Sequence, residues 1–99
     1  MQLQKLTNQV DRFIQKQGGY WDIPWLLAAI LEELGELSRV LQIFSGIRET
    51  NVSNHEESVK ELIEEESGDL FFSLICLTNF IGIDLEVALL RTLNKYNFR

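Results

Sequence analysis

Cysteine, histidine and proline each occur once in this chain, at Cys76, His55 and Pro24. A single thiol excludes an intrachain disulfide. Cys76 lies within the apolar run 70–80, where it reads as a small buried hydrophobe suited to a reducing compartment. The lone histidine reads as a surface residue, and no Glu-x-x-His motif occurs, which removes a di-iron carboxylate bundle from consideration. Cations are also scarce: nine Lys and Arg stand against fifteen Asp and Glu, for a formal net charge of −6. Binding to a nucleic-acid polymer draws its affinity from many cations set against phosphates, so no such partner is expected. An acidic protein can still hold a small phosphorylated ligand through a divalent cation. No apolar run reaches the roughly 18 residues that spanning a membrane requires, and the first five residues lack the apolar core of a signal peptide. The expectation is a soluble, cytoplasmic protein without a membrane partner.

With 99 residues the chain is one domain, covering 1–99, and a domain of this size buries only roughly 60–65% of the surface its unfolded chain exposes. A helical chain this small often gains core by self-association, so a homodimer or homotetramer is expected. The sequence divides into four helices. Leu3, Leu6, Val10, Phe13 and Ile14 recur at helical spacing until Gly18-Gly19 stops the pattern. A second helix opens near Pro24, whose missing N–H is harmless in a first turn. It runs through Leu27, Ile30, Leu34, Leu37 and Leu41 to Ser45-Gly46. Residues 47–54 are polar and read as a loop. Ser53 or Asn54 is expected to cap a third helix carrying Val59, Leu62, Ile63, Leu70, Leu74 and Leu77 on one side. Gly82 ends it, and Asp84 caps a fourth helix from Leu85 to near Phe98, with Glu86 at its positive end. The fold class is all-α, a four-helix bundle completed by oligomerisation.

Where the carboxylates fall on these helices is the informative feature. At about 100° per residue, and with Ile30 as reference, Leu26, Leu34, Leu37 and Leu41 lie within about 40°. On the same wheel Glu33 lies about 60° off and Glu36 about 120°, while Glu32 points outward. Glu33 thus flanks the core and Glu36 continues that edge. On the third helix Val59, Leu62, Leu70, Ser73 and Leu77 define a stripe whose middle position is Glu66. Asp69 follows one turn on and faces the same way, whereas Glu61, Glu64 and Glu65 fall off the stripe. Two helices therefore each offer an i, i+3 acid pair to the interior. Ionised carboxylates removed from water cost several kcal/mol each unless paired or metal-bound. No Lys or Arg stands at i±3 or i±4 of Glu66 or Asp69 on the same face. An oxygen-only ligand set selects a hard cation, Mg²⁺ or Mn²⁺, rather than zinc.

These residues form a recognisable pattern. Glu32-Glu33-Leu34-Gly35-Glu36-Leu37, then Glu65-Glu66-Ser67-Gly68-Asp69-Leu70 about thirty residues later, resembles the E-E-x-x-E … E-x-x-D signature of the MazG-like all-α nucleoside triphosphate pyrophosphohydrolases. The resemblance extends over most of the chain. It includes Trp21 and Pro24 ahead of the first motif, residues 82–86 entering the last helix, and Lys95, Tyr96 and Arg99 at its end. It implies Mg²⁺-dependent hydrolysis of nucleoside triphosphates, whether standard, deoxy or damaged, to the monophosphate and pyrophosphate. The resemblance also implies nucleotide-pool cleansing as the setting.

Carried over position by position, the resemblance makes Glu33, Glu36, Glu66 and Asp69 the metal ligands. Phosphoryl chemistry needs mainly positioning and charge stabilisation, and Glu33 or Glu36 is assigned the catalytic task of orienting the attacking water. Arg91, Lys95 and Arg99 recur at i, i+4, i+8 along one edge of the fourth helix and are candidates for binding the outer phosphates. Trp21, in an aromatic cluster with Tyr20 and Trp25, is the candidate for stacking on the base. Phe71 and Phe72 place a ring off the main stripe, which suggests a second apolar face for a partner subunit. The rival reading is a non-catalytic helical interaction or nucleotide-sensing module, which keeps the apolar stripes but gives no reason for Glu66 and Asp69 within one of them.

Overall fold

The computed structural model describes residues 2–47 and 56–98. Four helices account for its regular structure: α1 (Gln2–Lys16), α2 (Ile23–Phe44), α3 (Glu56–Ile81) and α4 (Leu85–Asn97). There is no strand among the described residues. The expected caps at Ser53 or Asn54, His55, most of the 47–54 loop and Arg99 lie outside the described residues.

Local chemistry explains the helix ends. Gly18 and Gly19 adopt φ of 108° and 99°, a region that costs residues with a Cβ but not glycine. The Gly19 N–H donates to the Ile14 carbonyl at 3.0 Å and closes α1. Asp22 caps α2 by accepting the Ile23 N–H at 2.8 Å, with Pro24 in the first turn. At the far end of α3, Gly82 turns at φ 88°. The N–H groups of Gly82 and Ile83 both reach the Thr78 carbonyl, at 2.9 and 2.8 Å. Asp84 then caps α4 by accepting the Val87 N–H at 3.1 Å, as its sequence position implies. This turn bends α4 by 106° away from α3. No single described helix is long and apolar enough to cross a membrane, and α3 with α4 meets the length and hydropathy criteria only across that bend.

The core sits where α2 pairs with α3, and α1 packs on α3 beside it. Val40 is fully buried, and Leu26, Val59, Ile75 and Cys76 are nearly so, each worth about 1.5–3 kcal/mol where a large apolar side chain leaves water. The inward stripe of α2 is Leu26, Ile30, Glu33, Leu37 and Val40, which differs from the expected one. Leu34 and Leu41 remain 49% and 43% exposed. The helix is rotated so that Glu33 lies in the middle of the buried stripe rather than on its flank. Leucine is plentiful around α2, so its periodicity leaves the facing direction open, and contact with α3 selects it. On α3 the stripe through Val59, Leu62, Glu66, Leu70, Ser73 and Leu77 is at least partly buried. Leu74 is exposed instead, and Ile75 and Cys76 are buried because α1 covers that side. Phe72 meets Phe13 of α1 edge-on at 6.3 Å, so this chain itself occupies part of the face that the sequence assigned to a partner.

α4 rests on α1, tied there by the Gln4 N–H donating to the Glu86 carboxylate at 3.3 Å. The result is an open arrangement with extents of 42 × 41 × 24 Å and a radius of gyration of 16.1 Å, against about 13 Å for a compact chain of this length.

Candidate active site

Glu33 of α2 and Glu66 of α3 are the central members of two stripes that face each other, and Asp69 follows Glu66 by one turn. A carboxylate oxygen from each of the three lies within 4.8 Å of the other two. Glu33 and Glu66 are partly buried between the helices and Asp69 is exposed. The arrangement raises the Glu33 carboxyl above its ordinary range, first through loss of solvent and then through the charges of Asp69, Glu66, Glu32 and Glu36. Glu66 is raised in the same way: desolvation leads, followed by Glu36, Asp69 and Glu65, with Arg39 acting in the opposite direction.

Glu36 is exposed at the rim and outside the converging trio, yet its charge is the strongest of those acting on Glu66. Glu32, Glu61, Glu64 and Glu65 are exposed, as their angular positions imply. Oxygens around an octahedral Mg²⁺ stand about 3–4 Å apart at metal distances of about 2.1 Å. A small contraction of the trio suits such an ion, and the all-oxygen donor set suits its hardness.

Trp21 is 66% exposed and forms one wall of a cavity of about 200 Å³ whose other walls include Phe13, Tyr20, Leu26, Phe72 and Cys76. Ala29 and Ser73 also line it. Ala29 precedes Glu33 by four residues and Ser73 follows Asp69 by four, which places the cavity about 6 Å along the helices from the acids. Trp25 does not line it. Burial pushes the Cys76 thiol above its ordinary range, so it stays protonated as one more apolar wall group.

Arg91 and Lys95 lie exposed on α4, and Lys95 stands 5.0 Å over the Tyr96 ring. α4 turns away at Gly82 and packs on α1, and neither cation is among the charges that act on Glu33 or Glu66. Arg99 lies outside the described residues. The cation that does act on Glu66 is Arg39 of α2, which a search along α3 alone misses. Its signal was its place three residues after Glu36, on a helix whose acids face α3. The hydrogen-bonding of Tyr20 was also invisible in sequence, since its partners lie 9 and 59 residues away.

The sequence profile of the MazG nucleotide pyrophosphohydrolase domain matches residues 24–99. The Bacillus subtilis (strain 168) protein YpjD is 36% identical over 98 residues, which are 98% of this chain and 85% of that protein. A crystal structure of Bacillus subtilis YPJD, described there as a candidate pyrophosphatase, superposes with a TM-score of 0.79 at 35% identity. It covers 97% of this chain and 93% of its own.

Proposed function

Because this chain belongs to the MazG nucleotide pyrophosphohydrolase family and is a pyrophosphohydrolase, we propose that it hydrolyses nucleoside triphosphates to the monophosphate and pyrophosphate with Mg²⁺, or Mn²⁺, held by its paired acids. The convergence of Glu33, Glu66 and Asp69 within 4.8 Å carries this reading. Glu36 completes the ligand set from the rim. When bound, the cation supplies charge neutralisation of the phosphates and acidifies a coordinated water.

The remaining work belongs to the chain's own groups. Glu33 or Glu36 accepts a hydrogen bond from the attacking water and orients it. Water adds to phosphorus, the bridging bond between the α- and β-phosphates breaks, and the water's proton leaves toward the carboxylate. Arg39, whose charge reaches Glu66, is sited to hold phosphoryl oxygens. The aromatic cavity receives the base, with Trp21 as a stacking wall, about one helical turn from the acids.

Self-association supports the same site. The chain exposes 7534 Å², whereas a compact monomer of its mass exposes roughly 5800 Å². Part of the exposed surface is apolar in the way an interface requires, since Trp25, Leu31, Leu34, Leu41 and Phe44 of α2 all remain well exposed. Leu34, Leu41 and Phe44 line an open apolar groove on α2. Assembly is also the route by which Arg91, Lys95 and Arg99 reach the outer phosphates, since α4 turns away from α3 within one chain. The cytoplasm is the proposed setting.

Release of pyrophosphate from a panel of nucleoside triphosphates, with Mg²⁺ and with EDTA, tests the reading. Hydrolysis that persists in EDTA, or phosphate as the sole product, overturns it. The same reaction in ¹⁸O-water assigns the attacked phosphorus by whether the label enters the monophosphate or the pyrophosphate.

A further inference from the structure

The connector between α1 and α2 supplies Gly19, Tyr20 and Trp21 to the aromatic cavity. Backbone bonds tie Gly18 and Gly19 back to Gln15 and Ile14 of α1, and beyond them the chain is held through side chains. Gly18 and Gly19 both sit at positive φ with open space around them, and Trp21 is mostly solvent-exposed.

What fixes the connector is a set of hydrogen bonds converging on one side chain. The Tyr20 hydroxyl donates to Asp11 Oδ1 on α1 at 2.8 Å and accepts from Asn79 Nδ2 on α3 at 3.1 Å. The same Asn79 nitrogen donates its other hydrogen to the Thr7 carbonyl of α1 at 2.9 Å, so both N–H bonds are used. The Tyr20 ring leans on Phe80 with centroids 6.2 Å apart. Three segments distant in sequence are thus joined at a residue whose next neighbour is Trp21.

We propose that Tyr20, latched by Asp11 and Asn79, is a positioning residue for nucleotide binding: it holds the connector so that Trp21 closes the cavity wall, and it governs KM rather than turnover. This rests on the reading that the cavity takes the base. Tyr20 does not touch the acids and belongs to no step of bond breaking. Burial first, and then the hydrogen bond to Asp11, push its phenol up to about 12. The hydroxyl therefore remains a donor at neutral and mildly alkaline pH.

Steady-state kinetics on Tyr20→Phe, Asn79→Ala, Asp11→Ala, Asp11→Asn and Trp21→Ala test this, using the best triphosphate of the panel with saturating Mg²⁺. Tyr20→Phe keeps the ring and loses only the hydroxyl. It is expected to raise KM about tenfold with kcat within about twofold, on the scale of one lost hydrogen bond. Asp11→Ala should do the same, and Asp11→Asn, which retains an accepting oxygen, should recover most of the loss. Inhibition by pyrophosphate, which has no base, should be unchanged throughout. In a Trp25→Phe background, the nucleotide-induced change in Trp21 fluorescence should shrink in Tyr20→Phe.

If Trp21→Ala raises KM but Tyr20→Phe and Asp11→Ala do not, the latch is refuted while the base pocket stands. If Trp21→Ala also leaves KM unchanged, the cavity is not the base site and both readings fall. A parallel loss of kcat and pyrophosphate affinity in Tyr20→Phe would identify a merely structural residue and likewise overturn the proposal.

Discussion

Replacing Glu66 with glutamine should make the metal-free protein more heat-stable while removing most of its response to Mg²⁺. Three carboxylate oxygens within 4.8 Å of one another repel when ionised, and Glu33 and Glu66 are both raised above their ordinary value of 4.5. A carboxyl raised in the folded state contributes stability below its unfolded pKa, and that contribution is lost as pH climbs through the folded value. In EDTA, wild type should therefore melt higher near pH 5.5 than near pH 8. Glu66→Gln, which keeps the shape and deletes one charge, should melt above wild type at pH 8 and narrow the gap between the two pH values. Metal reverses the order. A cation bound only by the folded chain at 100 times its Kd stabilises by about 2.7 kcal/mol, which is roughly 10–20 °C in Tm for a chain of this size. Glu66→Gln loses a central oxygen ligand and should gain less than half of that. Four thermal melts at pH 8 and constant protein concentration decide the matter. If Glu66→Gln melts below wild type in EDTA and Mg²⁺ shifts both proteins equally, Glu66 is a structural acid and the metal site lies elsewhere.

Glu33→Gln and Asp69→Asn should each lower turnover by at least about a hundredfold, the scale of losing a transition-state charge contact, while Glu64→Gln, on an exposed position, should leave it unchanged; equal losses at Glu64 and Glu66 in the same assay would show the facing of α3 to be wrong. Arg39→Ala should reduce kcat/KM about tenfold, with Arg39→Lys intermediate because a point charge remains without the bidentate fork. No change in kcat/KM would remove Arg39 from the phosphate site. Light scattering at micromolar concentration should give a multiple of the 11.5 kDa chain mass, and a monomer mass would refute assembly.

The signature carboxylates were legible in sequence because helical periodicity is a local property. Once residues 56–81 form one uninterrupted helix, Glu66 and Asp69 must share a face, and the apolar residues around them indicate which face is inward. The same logic failed on α2. With Leu27, Leu31, Leu34 and Leu41 crowding one side, the wheel favoured a direction that leaves Leu34 and Leu41 exposed, and it missed Val40, the most deeply buried side chain among the described residues. An amphipathic pattern fixes a buried direction only when a single arc is apolar. A helix apolar over a wide arc is oriented by whichever neighbour it meets.

Helix ends follow the same division. The Asp22 cap is just as local but was not read. Gly18-Gly19, Gly82 and Asp84 act through bonds to residues at most five positions away, and these, with Pro24 in the first turn of α2, were readable from the chain. The 106° bend at Gly82 was not, although a stop there was expected. A cap specifies that a helix ends, while the direction of the next helix depends on what it packs against. For that reason the i, i+4, i+8 row of Arg91, Lys95 and Arg99 was visible as a basic edge, but the turn of α4 away from α3 was not.

By itself, then, the sequence determined four helices, their stops, and which carboxylates share a face on α3, since each of these depends on contacts within a few residues. Only the tertiary structure decided that Glu33 lies opposite Glu66, that Arg39 of α2 acts on Glu66, and that Tyr20 joins α1 to α3 beside a cavity one turn from the acids. Those relations connect residues tens of positions apart. They exist because α2 and α3 bury their apolar stripes against each other, and that pairing sets their rotation, which no single helix specifies.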